Sequence, residues 1–322
     1  MKRKFWILLP VCLLLVCLLS ACGGKEEIRF GAAGEGGTYY AYSMAVAKTV
    51  QADAGYAFDV KATAGSAANI RLLSEGYLQM AIAQSDVAAD AWNGCGAFEG
   101  DARTGYSAVA SLYTEYCQSV VRADSDIHSV EDLYGKVVSV GEKESGTELN
   151  ALQILECCGL GETSVQLRND NYRQAADALK NGEIDAFFCT AGLSMETIRD
   201  LAKDVPVRLL ALSERQVDRL MDTYGGYVLC TIPAETYAGQ TETVQTVGVR
   251  AVLLAADSVK AETVKRVLSV LMKHGEDLKN TVGVETALSA ETCGEGIAIP
   301  YHAGAEAFYR ENGIVVETEA AK

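Results

Sequence analysis

Short apolar runs alternate with amphipathic stretches of helical period along almost the whole chain, and this alternation limits the fold more than any other feature. A strand buried on both faces reads as a continuous apolar run, and a helix covering it reads as a stripe every three to four residues. Repeated strand–helix alternation is the pattern of an α/β fold with a largely parallel sheet. Strands are expected at Ile28–Gly31, Phe58–Thr63, Met80–Ala83, Val137–Val140, Val165–Leu167, Ile184–Cys189, Val207–Leu210, Tyr227–Ile232 and Val249–Leu254. Helices are expected between them. Thr147–Cys158 carries Leu149, Leu152, Ile154 and Leu155 and stops at Gly159, and Ser258–Lys273 carries Val264, Val267, Leu268 and Leu271. No internal repeat interrupts the series.

The 322 residues are 49% hydrophobic and 22% charged with only 4 Pro, which excludes disordered, collagenous and low-complexity chains. That length suits two domains. A net charge of -15, with Lys and Arg scattered, argues against nucleic acid as a partner, because an acidic surface repels a phosphate backbone.

Lys2, Arg3 and Lys4 precede an apolar stretch from Phe5 to Leu19, too short to span a bilayer and placed as an export signal. It ends in Leu19-Ser20-Ala21-Cys22, followed by Gly23 and Gly24, and looks like the lipobox of bacterial lipoproteins. Residues 1–21 are therefore expected to be a signal peptide, Cys22 a lipidation site, and 22–27 a tether holding the body at the outer face of a membrane. The seven later cysteines, odd in number and without CxxC spacing, form neither a disulfide framework nor a zinc site. Most sit among apolar residues and read as small buried hydrophobes, a pattern that fits a weakly oxidising or anaerobic habitat.

Side-chain chemistry gathers in four loops, each after an expected strand and before an expected helix. They are Gly34-Glu35-Gly36-Gly37-Thr38-Tyr39-Tyr40, Thr63-Ala64-Gly65-Ser66-Ala67-Ala68-Asn69, Gln84-Ser85-Asp86 and Ser145-Gly146-Thr147. Glycine lets backbone approach a ligand, and free amides at a helix start favour an anion. In open α/β sheets ligands bind beyond the carboxyl ends of strands, so these loops can converge on one cleft. The hydroxyl and amide residues could equally serve as helix caps.

The first loop lacks GxGxxG spacing, and the chain has no Walker A loop, no HExxH and no GxSxG elbow. His128, His274 and His302 are far apart, and His302 reads as a structural residue at a helix start. Glu131-Asp132 and Glu142 with Glu144 read as solvated turns. No catalytic group, cofactor or metal site is expected.

Taken in order, the loops resemble the TAXI family of solute receptors, which serve one branch of TRAP transporters. Other matching pieces are Asn69-Ile70-Arg71-Leu72-Leu73, Leu179–Phe188, Thr190-Ala191-Gly192, Ile232–Tyr237, His302–Ala305 and Tyr309–Gly313. The resemblance runs from Ile28 to about Gly313 and implies a two-lobed periplasmic-binding-protein type II fold with a ligand cleft between the lobes. It implies a small carboxylate ligand, such as glutamate or 2-oxoglutarate, passed to a TRAP-type membrane permease. The residues it places at the ligand are Gly37, Thr38, Tyr39, Ser66, Asn69, Gln84, Ser85, Asp86, Ser145, Gly146, Thr147, Thr190 and Gly192.

The sequence departs from the family at Ala32-Ala33, where Thr-Gly is usual, at Glu35, where a small neutral residue is usual, and at Leu193-Ser194, which lacks the usual Pro. These changes bear on the ligand more than on the fold. Boundary signals near Tyr113–Gln118 and Thr231–Val247 give a first lobe of 28–115 and 245–322 and a second of 116–244. A binding protein of an ABC-type importer and a ligand-sensing lipoprotein are the alternative readings.

Overall fold

The structure, a computed structural model, describes residues 27–161, 163–285 and 288–317. The expected signal peptide, Cys22 and all of the tether but Glu27 lie outside the described residues.

Among the described residues ten strands and ten α-helices follow one another, in the expected alternation for most of the chain. In chain order they are β1 (Glu27–Gly31), α1 (Thr38–Ala54), β2 (Ala57–Lys61), α2 (Ser66–Ser74), β3 (Met80–Gln84), α3 (Ser85–Asn93) and β4 (Tyr106–Arg122). Next come β5 (Val137–Ser139), α4 (Gly146–Cys157), β6 (Gln166–Arg168), α5 (Tyr172–Asn181), β7 (Ala186–Ala191), α6 (Glu196–Asp204), β8 (Val207–Leu209), α7 (Glu214–Thr223) and β9 (Val228–Ile232). The last are β10 (Val244–Ala256), α8 (Ala261–Lys273), α9 (Gly275–Val282) and α10 (Ala303–Glu311).

The strands form one curled sheet in the order β2-β1-β3-β10-β4-β7-β5-β6, with β8 also on β4 and β9 also on β10. Pairing is parallel within β2-β1-β3 and β7-β5-β6 and antiparallel wherever β4 or β10 takes part. This is a mixed α/β architecture, with β4 and β10 as the two long strands that join its halves.

Burial divides along those two strands. One core gathers Phe30, Ile70, Met80, Val109, Tyr113, Ala251, Leu253, Leu268 and Tyr309. Two others gather residues from Cys117 to Val249, including Val138, Ile154, Phe188, Leu220 and Val247 around one face, and Val120, Phe187, Ile198 and Ile232 around the other. The core thus divides between Tyr113 and Cys117 on β4 and between Val249 and Ala251 on β10. On α8 the expected stripe Val264, Val267, Leu268 and Leu271 is fully buried, each side chain contributing about 1.5–3 kcal/mol by its removal from water.

The expected strands are present with ends shifted by one or two residues, except that β10 begins five residues before the expected Val249. β4 was not expected as a strand. Central in the sheet and buried on both faces, it shows no period of two, and its Ser, Thr, Gln and Glu interrupt the apolar run.

Candidate functional site

Four helix starts meet where the two halves of the molecule face each other. α1 and α2 begin after Gly37 and Gly65, neither of which offers a side-chain cap, so their first-turn amides stay open to a ligand apart from Ala68 N of α2, which donates to Glu144 O. Gly65 takes φ +124°, a backbone conformation only glycine adopts freely. α4 is capped by Ser145, whose Oγ accepts from Glu148 N at 3.0 Å, and α5 by Asn171, whose Oδ1 accepts from Gln174 N at 2.9 Å.

Between them lies a cleft enclosing about 40 Å³, room for roughly three waters or one small solute. Its first wall is residues 33–35 and 37–39, residues 64–66, Gln84 and Glu115; its second is Glu142, residues 145–147, residues 170–172, Thr190 and Ala191. The walls are closed on each other at the rim. Ala68 N donates to Glu144 O at 3.3 Å, and Arg71 Nε stands 3.6 Å from Glu144 Oε1. Gly146 passes so close to Gln84 that a Cβ there would collide with Oε1.

Of the residues expected at the ligand, the cleft brings together Gly37, Thr38, Tyr39, Ser66, Gln84, Ser145, Gly146, Thr147 and Thr190. Asn69 stands behind the wall, fully buried. Its Nδ2 donates to Ala32 O at 2.6 Å and Ile82 O at 2.8 Å, and its Oδ1 accepts from Thr63 Oγ1, so it ties the ends of β1, β2 and β3 together. Ser85 and Asp86 line a separate cavity on the far side, where Asp86 Oδ2 accepts from Asn150 Nδ2 at 3.1 Å. Burial pushes the Asp86 carboxyl up to about 7. Gly192 packs against Val284 beneath Thr38, where a side chain would collide.

The hydroxyls on the second wall are internally committed. Tyr172 donates to Thr190 O at 3.0 Å, which makes Thr147 Oγ1 the donor in its 2.5 Å contact with the Tyr172 hydroxyl. Ser66 Oγ accepts from Gln84 N at 3.0 Å and also hydrogen-bonds to the Tyr39 hydroxyl. His302 caps α10 by accepting from Gly304 N at 3.1 Å, the structural place expected for it.

The cleft also holds four carboxyl side chains, Glu35, Glu115, Glu142 and Asp170, and its lining includes no Lys, Arg or His. None was expected at the ligand. Glu115 is 2% exposed, its Oε2 accepts from the Tyr39 hydroxyl at 2.6 Å, and loss of water pushes it up to about 8. Burial also raises Glu142. Asp170 Oδ1 accepts from Arg168 at 2.9 Å, whereas its Oδ2 and the Oε1 of Gln84 are buried without a donor. One signal pointed to Glu115: it is the only charged residue between Tyr106 and Val121.

A model of the NMT1-like family matches residues 30–313, which takes in every element lining the cleft. The chain belongs to the NMT1-like family. NMT1-like proteins are a family of periplasmic substrate-binding proteins. Among solved structures it is similar to a binding protein component of an ABC phosphonate transporter from Pseudomonas aeruginosa, at 12% identity and a TM-score of 0.54, over 82% of this chain and 81% of that one. It is likewise similar to a putative L-cystine ABC transporter protein from Listeria monocytogenes, at 16% identity and a TM-score of 0.51, over 81% and 98% of the two chains. At these identities the likeness establishes the fold. No helix among the described residues of this NMT1-like chain is long and apolar enough to cross a membrane.

Proposed function

We propose that this protein is an extracytoplasmic solute receptor, anchored through a lipid on Cys22, that closes on a small carboxylate-bearing solute and delivers it to a TRAP-type permease. The observation that carries the reading is the pair of uncapped helix starts, α1 and α2, opening into one closed cleft. Their dipoles and unpaired amides are suited to a carboxylate. In this reading Thr38, Tyr39, Ser66 and Gln84 receive the solute, with Asn69 and Gly192 holding the loops in place. Closure then brings Ser145, Gly146, Thr147 and Thr190 over it. The pieces on which the sequence resembles TAXI receptors span both walls, which supports a TRAP permease as partner.

A receptor of the same fold would also serve an ABC importer. The partner is identified by purifying the full chain from membranes: a large fused membrane protein supports the TRAP reading, and an ATPase complex replaces it. Solute binding is tested by thermal unfolding against monocarboxylates, keto acids, dicarboxylates and amino acids. A ligand at 100 times Kd adds about 2.7 kcal/mol, enough to raise Tm by a few degrees. Absence of any shift after stripping by refolding would sink the reading.

A further inference from the structure

We propose that the solute bound in this cleft carries a protonated amine, received by the Glu115 carboxyl and the Gln84 Oε1 oxygen, and that the cleft turns away solutes with a second carboxylate. The inference rests on the solute-receptor reading above and narrows its ligand class.

Three observations carry it. The first is the balance of charge: four carboxyl side chains line the cleft, and no basic side chain does. Among the described residues only Asp170 of the four has a cationic partner, Arg168, which lies outside the lining. With the two helix starts occupied by its first carboxylate, a dianionic solute would set its second charge against walls that carry carboxyl groups and no basic side chain.

The second is the state of the buried acceptors. Gln84 is 2% exposed and its Oε1 has no donor; neither has the buried Oδ2 of Asp170. Buried acceptors without donors are rare in native structures and call for an N–H or O–H from outside the chain. An ammonium group brings three donors and no acceptor, whereas a carboxylate brings only acceptors.

The third is Glu115 itself. It is sealed in the middle of β4, and its one hydrogen bond comes from the neutral Tyr39 hydroxyl. No ion pair reaches it among the described residues. A carboxyl buried this way ionises at the expense of its lost hydration unless a cation arrives with the ligand. The helix starts of α1 and α2, on the same wall as Glu115 and Gln84, take the opposite pole, so acceptor and donor groups stand side by side as the two poles of an α-amino acid require.

The test is calorimetric titration of the full chain in detergent with matched probes: each neutral and basic amino acid, its 2-oxo acid, succinate, and the set glutamine, glutamate and 2-oxoglutarate. At least one neutral or basic amino acid is expected to bind, with its 2-oxo acid weaker on the order of 100-fold. Glutamine is expected to bind more tightly than glutamate, and 2-oxoglutarate least. In Glu115→Gln the amino acid should lose a similar factor while the unliganded Tm is kept. Equal binding of an amino acid and its 2-oxo acid, or full affinity in Glu115→Gln, would overturn the proposal. Binding of 2-oxo acids or dicarboxylates alone overturns it and leaves the receptor reading standing; silence across the whole set overturns both. Should Glu115→Gln fail to fold, the matched probes on the unaltered chain decide.

Discussion

The Tyr39 hydroxyl donates to Glu115 Oε2 across 2.6 Å, so the first turn of α1 is fastened to the middle of β4 at the floor of the cleft. Tyr39→Phe removes that donor and leaves a buried carboxyl less satisfied. Urea unfolding of the unliganded variant should show a loss of about 1–3 kcal/mol. A change under about 0.5 kcal/mol would mean that another donor takes over.

Burial places the Asp86 carboxyl at about 7 and that of Glu115 at about 8, against about 4 in an unfolded chain. The folded state therefore holds protons that the unfolded state has released. Stability from these groups is greatest below pH 4 and is lost as pH rises through 7 and 8. His302, which burial shifts down, works in the opposite sense near pH 6, so the comparison is made against Asp86→Asn. The stability of the unaltered chain relative to Asp86→Asn should fall between pH 4 and 7 and level off above. A difference that stays flat over this range would show that Asp86 is not desolvated.

Gly146 admits no side chain while Gln84 stands opposite it. Gly146→Ala should fold, since its helix start tolerates alanine, but resist closure. Ligand affinity should fall about tenfold for each 1.4 kcal/mol of strain in the closed state. Small-angle scattering with ligand present should show a larger radius of gyration than the parent; identical radii would refute the steric argument.

Asn69 satisfies the backbone carbonyls of Ala32, just after β1, and of Ile82, in the middle of β3. Asn69→Ala should cost about 2–4 kcal/mol by denaturant titration. Because the side chain lies behind the wall, affinity measured on the folded fraction should change less than stability does. Loss of binding at unchanged stability would put Asn69 in contact with the solute instead.

Seven cysteines between Cys95 and Cys293 are free, and only Cys95 is exposed. A thiol reagent should modify Cys95 in the native protein and all seven after unfolding. Fewer than seven after unfolding would reveal disulfides.

The alternation of runs made the layered α/β fold legible, and glycine and hydroxyl residues at strand ends marked the loops that reach the cleft. Those signals are local, because a helix start needs a few particular residues next to one another. The charge of the cleft is not local. Glu35, Glu115, Glu142 and Asp170 come from four separate segments; Glu142 and Asp170 taken alone pass for surface carboxylates, and neither Glu35 in its glycine loop nor Glu115 in its apolar run shows that the four share one cleft. β4 escaped notice because a strand enclosed on every side has no reason to alternate. Asn69 and Asp86 sit in loops that do reach the cleft, yet their side chains turn elsewhere, a matter of backbone direction that spacing along the chain does not carry.

β10 lies between β3 and β4, so the sheet built from the earliest part of the chain has its middle strand supplied by residues 244–256. During synthesis or export, β3 and β4 must wait with open edges until that late segment arrives. The intervening segment, by contrast, has β5, β6 and β7 paired with one another locally. The half built from the intervening segment should thus ripen before the half built from both ends of the chain. Pulse-labelled hydrogen exchange during refolding should protect Val138 ahead of Ile82 and Leu253 on the β3–β10 edge, making the last-closed part of the receptor the half that carries Thr38 and Ser66.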